Sequence, residues 1–312
     1  AFAYGIKGKT IDGNNIIEVF RNAREILEEI REEGKPFLLE CITYRMRGHE
    51  EASGTKYMPA EEMKRWEKRD PLVNYENFLL NTGIMSEEEV SSLKNELRER
   101  IKSAFEEALS MPFLQPDTEK ELRDVYYPYI QVREHTFREA SQVKGEKKTM
   151  RYVDAIREAL FIAFEKYPEL VIMGQDIAEY GGVFKVTEGL VHKFGKERVR
   201  NTPLCESAIV GCALGLSVEG IKAIVEMQYS DFASNAFTQI VNNVARLHYR
   251  WGQNVDVVIR MPTGAGLAAG PFHSQSLEAF FFHVPGLKIV YPSTPSDAKG
   301  LLLAAIADPN PY

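Results

Sequence analysis

Apolar positions recur with a helical period near the start of the chain. Between residues 14 and 33 they are three or four residues apart with charges between them, which predicts an amphipathic helix. Gly34 and Pro36 predict its end. A short strand and turn are predicted before it, over 4–13, and a buried strand after it, over 37–43. This order is typical of a parallel sheet with crossover helices.

The next hundred residues are more polar. Residues 44–59 contain glycine and show no period, so we expect a loop at the carboxyl end of the strand, where open α/β sheets bind ligands. Two charged amphipathic helices are predicted over about 60–80 and 86–110. Ser86 and Glu89 have the spacing of a capping box at the start of the second. The polar stretch 142–150 is predicted to be an interdomain linker.

A second series of alternating elements follows the linker. Helices are predicted over 151–167, within 183–194, and over 207–219 (buried), 230–246 and 295–307. Strands are predicted over 170–174, 199–202, 221–227, 255–261 and 287–291. This alternation predicts a doubly wound α/β domain. We therefore expect α/β portions of two doubly wound parallel-sheet domains, 1–141 and 151–312, joined by a helical segment and the linker.

Composition narrows the classes of function. Basic residues number 38 and acidic residues 45, and the resulting net charge of −7 disfavours general nucleic-acid binding. No apolar run is long enough for a membrane-spanning helix. Cys41, Cys205 and Cys212 are too sparse for a disulfide framework or zinc site, so buried free thiols and a cytoplasmic location are expected. The chain lacks an initial Met and a signal-peptide pattern, and is expected to begin within a longer protein.

Two candidate sites follow predicted strands. In the segment Arg45-Met-Arg-Gly-His49, the arginines could bind phosphate and His49 could transfer protons near neutral pH. The alternative is an ordinary surface loop. Glu206 lies among mainly apolar residues, where an unpaired carboxylate is costly. It is therefore either functional or an acid favoured by the start of a helix.

Two further segments carry candidate chemistry. The glycines of 264–270 have the spacing GxGxxxG, and Pro271 interrupts the helix that a dinucleotide-binding loop requires. A close-approach loop that presents His273 fits better. After the strand at 221–227, Gln228 could hydrogen-bond a ligand, and Phe232 could either stack on a ring or pack in the core.

Together these motifs resemble the thiamine-diphosphate-dependent 2-oxo acid dehydrogenases. Thr43-Tyr-Arg-Met-Arg-Gly-His49 and the helices to about Tyr127 resemble the last part of their α subunit. Asn201-Thr-Pro-Leu-Cys-Glu206, His273-Ser-Gln-Ser-Leu-Glu-Ala-Phe280 and the segment 174–187 resemble the first half of their β subunit. The chain is thus similar to an α–β fusion with transketolase-like domains. The two quoted β-type motifs look closer to the branched-chain enzymes than to the pyruvate enzymes.

The resemblance implies an activity and a set of residue roles. The family decarboxylates a 2-oxo acid oxidatively and passes the acyl group to the lipoyl group of a partner acyltransferase in a multienzyme complex. Glu206 would bind the pyrimidine nitrogen of thiamine diphosphate, His49 would assist acylation of the lipoyl group, and His273 would face the substrate. Four more residues are implied in cofactor binding: Arg45 at the diphosphate, Leu204 through its backbone, Gln228 in the pocket and Phe232 stacked on the pyrimidine.

The resemblance also implies metals and an assembly. The magnesium motif of the family is expected before Ala1 and the β-type C-terminal domain after Tyr312, so no magnesium ligand is assigned in this chain. A potassium ion is implied near 257–260 and 308–310. A homo-oligomer is expected, because the family binds its cofactor between α and β subunits. The alternatives are a non-catalytic fragment or assembly module with an incomplete cofactor site, or a nucleotide-binding α/β protein.

Overall fold

A computed structural model describes residues 1–48, 50, 52, 54–129 and 148–312. They form two compact units, Ala1–Leu114 and Gln115–Tyr312. The linker predicted at 142–150 falls mostly outside the described residues, so the division into 1–141 and 151–312 stays a prediction. Among the described residues, no helix is both long and apolar enough to cross a membrane.

The first unit opens with two parallel strands and the helix that connects them. These are β1 (Lys7–Asp12), α1 (Ile16–Glu33) and β2 (Phe37–Ile42). The Asn15 side chain accepts a hydrogen bond from Glu18 N at the start of α1, and Gly34 ends the helix with φ +64°. The predicted helix and strand are confirmed. The predicted burial of the strand is wrong, because β2 pairs only with β1 among the described residues and most of its side chains are exposed.

Three helices complete the first unit: α2 (Ala60–Glu67), α3 (Pro71–Asn81) and α4 (Glu87–Ser110). The single helix predicted over 60–80 is wrong. The Asp70 carboxylate accepts hydrogen bonds from Leu72 N and Val73 N, and Pro71 occupies the first helical position, so a new helix begins there. The capping box of Ser86 and Glu89 is confirmed, with both reciprocal hydrogen bonds present.

The second unit contains a four-stranded sheet and seven labelled helices in its described part. In chain order these are α5 (Thr118–Arg123), α6 (Tyr152–Lys166), β3 (Val171–Gly174), α7 (Leu190–Phe194), β4 (Val199–Asn201), α8 (Glu206–Val218), β5 (Ala223–Glu226), α9 (Leu247–Trp251), β6 (Val257–Arg260), α10 (Glu278–Phe282) and α11 (Pro295–Ala307). All pairings are parallel, in the order β4-β3-β5-β6. The α/β class is therefore confirmed.

Both faces of this sheet are covered. Ile172 and Ile224 point into a core formed with α6 and α11, whereas Met173 and Val225 point into a second core formed with α8. Successive strand residues face opposite sides, so two buried faces produce the continuous apolar runs in the sequence. The two cores hold the carboxyl ends of the strands together at one edge.

Two helices of this unit differ from prediction. Residues 230–246 are not one α-helix but a 3₁₀ helix, Ser230–Ala236, followed by a π-helix, Gln239–Val244. The tight first turn forms where Ser230 N donates to Pro262 O, which ties the segment to the neighbouring loop. Helix α8 was predicted to be buried, but it packs on the sheet through one face only. Cys212 on its other face is exposed, as is Cys41, so the thiols are free but not generally buried.

The strand predicted over 287–291 is wrong. The outer edge of β6 is occupied by Tyr312, whose carbonyl accepts from Ile259 N at 2.8 Å and whose N–H donates to Val257 O at 3.0 Å. Lys288 N therefore bonds to Pro311 O, at 3.0 Å, and not to β6. The segment therefore does not join the ladder.

The beginning of the second unit is fastened to its end. Tyr127 N donates to Asn310 Oδ1 at 2.7 Å, and Asn310 Nδ2 donates to Tyr127 O at 3.0 Å. Tyr126 Oη donates to Leu287 O at 3.2 Å. Asn310 is only 2% exposed. Residues 115–129 therefore belong to this unit through specific hydrogen bonds as well as through proximity.

Candidate functional site

A buried carboxylate lies at the carboxyl edge of the four-stranded sheet. Glu206 is the first residue of α8 and is 9% exposed. Gln175, directly after β3, donates from Nε2 to Glu206 Oε1 at 3.2 Å. Asn235 Nδ2 is 3.5 Å from Glu206 Oε2, which is a long contact. One carboxylate oxygen is therefore well held and the other is only weakly engaged.

The local sequence explains how this arrangement forms. The N-terminus of α8 favours a negative charge in its first turn, which offsets part of the cost of burying Glu206. Gly174 lets β3 approach β5 closely, because a Cβ at that position would lie 2.5 Å from Glu226 O. The close approach sets the position of the Gln175 backbone, and hence the reach of its side chain towards α8.

Three aromatic rings form a second cluster at the turn after β5. Tyr229 and Phe232 lie on this turn, and His273 comes from a later loop. The ring of His273 meets Tyr229 edge to face at 4.9 Å and Phe232 at 5.5 Å, measured between centroids. Tyr229 and Phe232 are 5.7 Å apart. Phe232 and Asn235 share the same short 3₁₀ helix. That helix therefore connects the aromatic cluster to the Glu206 carboxylate.

The loop that carries His273 is anchored to this turn by hydrogen bonds. Gln275 N donates to Asp231 Oδ1 at 3.3 Å. The hydroxyls of Ser230 and Thr263 donate to Gln275 O at 3.2 and 3.0 Å. The preceding glycine segment contains only a 3₁₀ turn, Ala265–Leu267, and then leads to His273. The anchors therefore place the imidazole beside Phe232.

A cavity of about 650 Å³ adjoins the aromatic cluster. Its lining is largely apolar and comes from β6, α11 and residues 287–292, with Tyr229 and His273 also on its wall. Glu206 is not among the lining residues. Arg260 lines this cavity, and its guanidinium pairs with the buried Glu226 carboxylate. Burial raises the pKa of Glu226 above its usual value, and Arg260 opposes that rise.

The remaining predicted residues lie in different surroundings. Gln228 follows β5 and is half-buried, whereas the Leu204 side chain is 79% exposed. Arg45 is an exposed residue of the first unit, and its guanidinium donates to Tyr57 Oη at 3.3 Å. His49 lies outside the described residues. The second unit thus connects Glu206, Phe232 and His273 through neighbouring side chains.

Sequence reasoning missed three members of this arrangement: Gln175, Asn235 and Tyr229. Gln175 follows a buried strand directly, which is the signal that drew attention to the other strand ends. Asn235 lies three residues after Phe232, a spacing that places both on one short helical segment. Tyr229 lies between the candidate residues Gln228 and Phe232, but the sequence predicts no role for it.

The structure also bears on the expected metals. Within the described ranges, no group of three or more His, Cys, Asp or Glu side chains is placed to hold a metal ion. At the implied potassium position, Asp308 Oδ2 is bound by Lys288 Nζ at 2.5 Å and by Tyr312 Oη at 2.9 Å. Asn310 Oδ1 is bound by Tyr127 N. These side-chain oxygens are engaged and do not fit an additional cation.

Comparison with known proteins identifies both parts of the chain. Residues 148–312 match the family model of the transketolase pyrimidine binding domain, and residues 1–117 match that of the dehydrogenase E1 component. The chain belongs to the thiamine-diphosphate-dependent 2-oxo acid dehydrogenase family, as its motifs led us to expect.

The similar curated proteins are β subunits. The mitochondrial 2-oxoisovalerate dehydrogenase subunit beta 2 of Arabidopsis thaliana is 48% identical over 183 residues, which are 57% of this chain and 51% of the relative. The 2-oxoisovalerate dehydrogenase subunit beta of Bacillus subtilis is 46% identical, covering 52% and 50%. The pyruvate dehydrogenase E1 component subunit beta of Acholeplasma laidlawii is 48% identical, covering 51% and 49%. The chain spans about half the length of these relatives.

Among solved structures, a split gene transketolase in an inactive beta4 tetramer is similar to this chain with a TM-score of 0.41 and 22% sequence identity. The match covers 53% of this chain and 50% of the other.

Proposed function

We propose that the chain contributes to oxidative decarboxylation of a 2-oxo acid with thiamine diphosphate as cofactor, followed by acyl transfer to a lipoyl group. The buried carboxylate of Glu206 at the start of α8 carries this proposal, together with the family to which the chain belongs. Glu206 lies at the sheet edge that binds ligands in open α/β folds, and one of its oxygens is only weakly engaged.

The donor set in the second unit fits the pyrimidine end of the cofactor. The pyrimidine nitrogen of the cofactor would take a carboxylate partner, and Glu206 offers one with restricted solvation. Gln175 Oε1 and Asp231 Oδ2 are buried atoms without a hydrogen-bond partner among the described residues. Such orphaned acceptors are unusual in a finished core and common where a ligand or water completes the set. Phe232 adds a half-buried ring to the same turn.

When bound, thiamine diphosphate would supply a nucleophilic carbon for the 2-oxo group and an acceptor for the electrons released on decarboxylation. The residues of the chain would orient the cofactor and exchange protons with the cofactor and the substrate. Glu206 would hold a proton at the pyrimidine nitrogen, and Phe232 would stack on the ring. His273, fixed by its loop anchors, exchanges a proton on the substrate side. Gln228, which follows β5, would hydrogen-bond the cofactor, and Leu204 would contribute backbone contact.

The first unit keeps the diphosphate roles expected from its motif. Arg45 is exposed and carries a guanidinium suited to phosphate, and its contact with Tyr57 keeps the side chain within the loop after β2. His49 is assigned the acylation of the lipoyl group. No residue is assigned to Mg²⁺, and potassium at 257–260 and 308–310 is not supported by the side chains there.

The substrate and partners follow from the same family relation. A branched-chain 2-oxo acid is favoured and pyruvate comes next, because the similar proteins are named for both and the motifs look closer to the first. The partner is a lipoyl-bearing acyltransferase of a multienzyme complex, and the chain acts within a homo-oligomer as an α–β fusion. A cytoplasmic location stays a prediction; two similar proteins are named as mitochondrial.

Calorimetric titration of the 312-residue chain with thiamine diphosphate and Mg²⁺ tests the proposal. We expect saturable binding that is lost in Glu206→Gln, because an amide cannot replace the carboxylate at the ring nitrogen. Arg200→Gln is a suitable control, since its exposed guanidinium pairs only locally with Glu197. Absence of binding by the folded wild-type chain would favour the alternative of an assembly module with an incomplete cofactor site.

A further inference from the structure

We propose that Gln175 is a positioning residue that fixes the orientation of the Glu206 carboxylate through a neutral amide donor. This inference rests on the proposed function of Glu206, to which it adds a second residue. Gln175 was not expected from the sequence to take part in the site.

The hydrogen bond between the two side chains defines the orientation. Gln175 Nε2 donates to Glu206 Oε1 at 3.2 Å, and both residues are more than nine-tenths buried. With Oε1 held, rotation of the carboxylate about its last bond would break a buried hydrogen bond. The Oε2 atom therefore keeps one direction, in which its contact with Asn235 is long. That oxygen is the one available to a ligand.

The amide itself is held in one orientation. Reversing Gln175 would turn its carbonyl oxygen against the carboxylate oxygen of Glu206, and two acceptors repel. As it stands, Gln175 Oε1 is buried with no hydrogen-bond partner among the described residues. The orphaned oxygen has a cost, which the bond to Glu206 must offset. The arrangement therefore satisfies an oxygen of the Glu206 carboxylate and leaves the carbonyl oxygen of Gln175 without a partner.

The amide also decides the charge of the pair. A carboxylate at position 175 would lie within hydrogen-bond distance of Glu206, and two such groups cannot both ionise readily. Other titratable groups near α8 include Asp231, Glu226 and Cys205, and Asp231 Oδ2 lacks a hydrogen-bond partner among the described residues. Asp231 accepts from Gln275 N, Glu226 pairs with Arg260, and Cys205 stands just before α8. Gln175 thus supplies a neutral donor at a position where a carboxylate would repel that of Glu206.

Exchanging the two side chains separates positioning from simple packing. The variants are Gln175→Glu, Glu206→Gln and the double exchange Gln175→Glu/Glu206→Gln, with Gln175→Leu as the variant without a donor. The double exchange keeps one amide and one carboxylate in contact but moves the charge from α8 to the end of β3. Thermal unfolding of each cofactor-free chain is measured from pH 5 to pH 8.5, and thiamine diphosphate with Mg²⁺ is then titrated.

In Gln175→Glu one carboxyl has a raised pKa in the folded state. Its stabilising contribution is full at low pH and is lost as pH rises through that pKa, so Tm should fall by about 5–10 °C relative to wild type between pH 5 and pH 8. The double exchange should restore a profile parallel to wild type and still not bind thiamine diphosphate. Gln175→Leu should weaken that binding about tenfold or more, because Glu206 loses its orientation.

Two results would overturn the inference. One is a Gln175→Glu profile parallel to wild type, which would mean that the side chains are not coupled. The other is a Gln175→Leu chain that binds thiamine diphosphate as wild type does. Failure of the proposed function is distinct: the wild-type chain would not bind thiamine diphosphate, while the pH profiles would still report the coupling of Gln175 to Glu206.

Discussion

Replacement of Asn310 by alanine should release residues 115–129 from the second unit. The Asn310 side chain is 2% exposed and makes three hydrogen bonds, with Tyr127 N, Tyr127 O and Asp308 Oδ1, at 2.7, 3.0 and 2.7 Å. At about 1 kcal/mol net for each bond, their loss should cost about 3 kcal/mol. Tyr127 is partly exposed, so its freed backbone groups can bind water and the cost should not rise much further.

Hydrogen exchange measured by mass spectrometry on peptides covering 118–129 is the appropriate assay, because it reports opening of this segment separately from global unfolding. Two of the three bonds attach the segment, and a loss of about 2 kcal/mol corresponds to exchange of the Tyr127 amide that is about 30-fold faster. Exchange of β3 and β5 should change little. Unaltered exchange at Tyr127 in Asn310→Ala would refute the assignment of this contact as the attachment point.

Two controls accompany this measurement. Asn95→Ala removes an exposed amide whose oxygen accepts from Arg98, and it should change stability by less than about 0.5 kcal/mol. Asn310→Asp keeps the acceptor for Tyr127 N but places a second carboxylate beside Asp308. It should therefore open the segment at neutral pH and recover in part on acidification.

The remaining predictions concern backbone space and acid stability. Gly286→Ala should unfold the second unit in circular dichroism melts, because φ is +93° and a Cβ would lie 1.9 Å from Ala245 O. Lys288→Met should raise the midpoint pH of acid unfolding. Burial favours the neutral form of Asp308, but hydrogen bonds led by that of Lys288 hold its pKa below the usual value. The resulting stability is present above about pH 4 and is lost as pH falls.

Each of these variants has a matched partner. Gly300→Ala fills open space within α11 and should stabilise the chain, by up to about 1 kcal/mol, since alanine is the better helix former. Destabilisation by Gly300→Ala would contradict the explanation that Gly286→Ala acts through a local clash. Lys299→Met breaks the more exposed pair with Glu158 and should leave the acid midpoint unchanged. An equal shift in both lysine variants would mean that the overall charge, and not Asp308, determines the midpoint pH of acid unfolding.

Periodicity and end signals predicted the regular elements of this fold well. Helix α11 was predicted at its observed bounds, since Pro295 favours the first turn and the apolar pattern runs to Ala307. The strand expected over 287–291 failed, because strand propensity cannot tell which segment occupies the edge of β6. Tyr312 takes that edge. Local signals identify extended backbone, whereas pairing is decided by tertiary packing.

In the candidate site, too, some residues could be predicted from local sequence and others depend on tertiary contacts. Glu206 could be found from sequence because an acid among apolar residues is costly and conspicuous. Gln175 could not, since a neutral amide after a strand carries no such signal and its role depends on a contact across 31 positions. The surroundings of Phe232 and His273 likewise depend on the hydrogen bonds of Gln275, which connect segments 44 residues apart.

The attachment of Tyr127 to Asn310 also determines the order of events during synthesis. The two residues are 183 positions apart, so the partner of the Tyr127 backbone emerges from the ribosome long after Tyr127 itself. Residues 1–114 form a separate compact unit, and the contacts within it do not depend on Asn310. Tyr127 therefore lacks this hydrogen-bond partner until α11 and residues 308–310 have been synthesised. Until then this part of the nascent chain is exposed to chaperones and proteases.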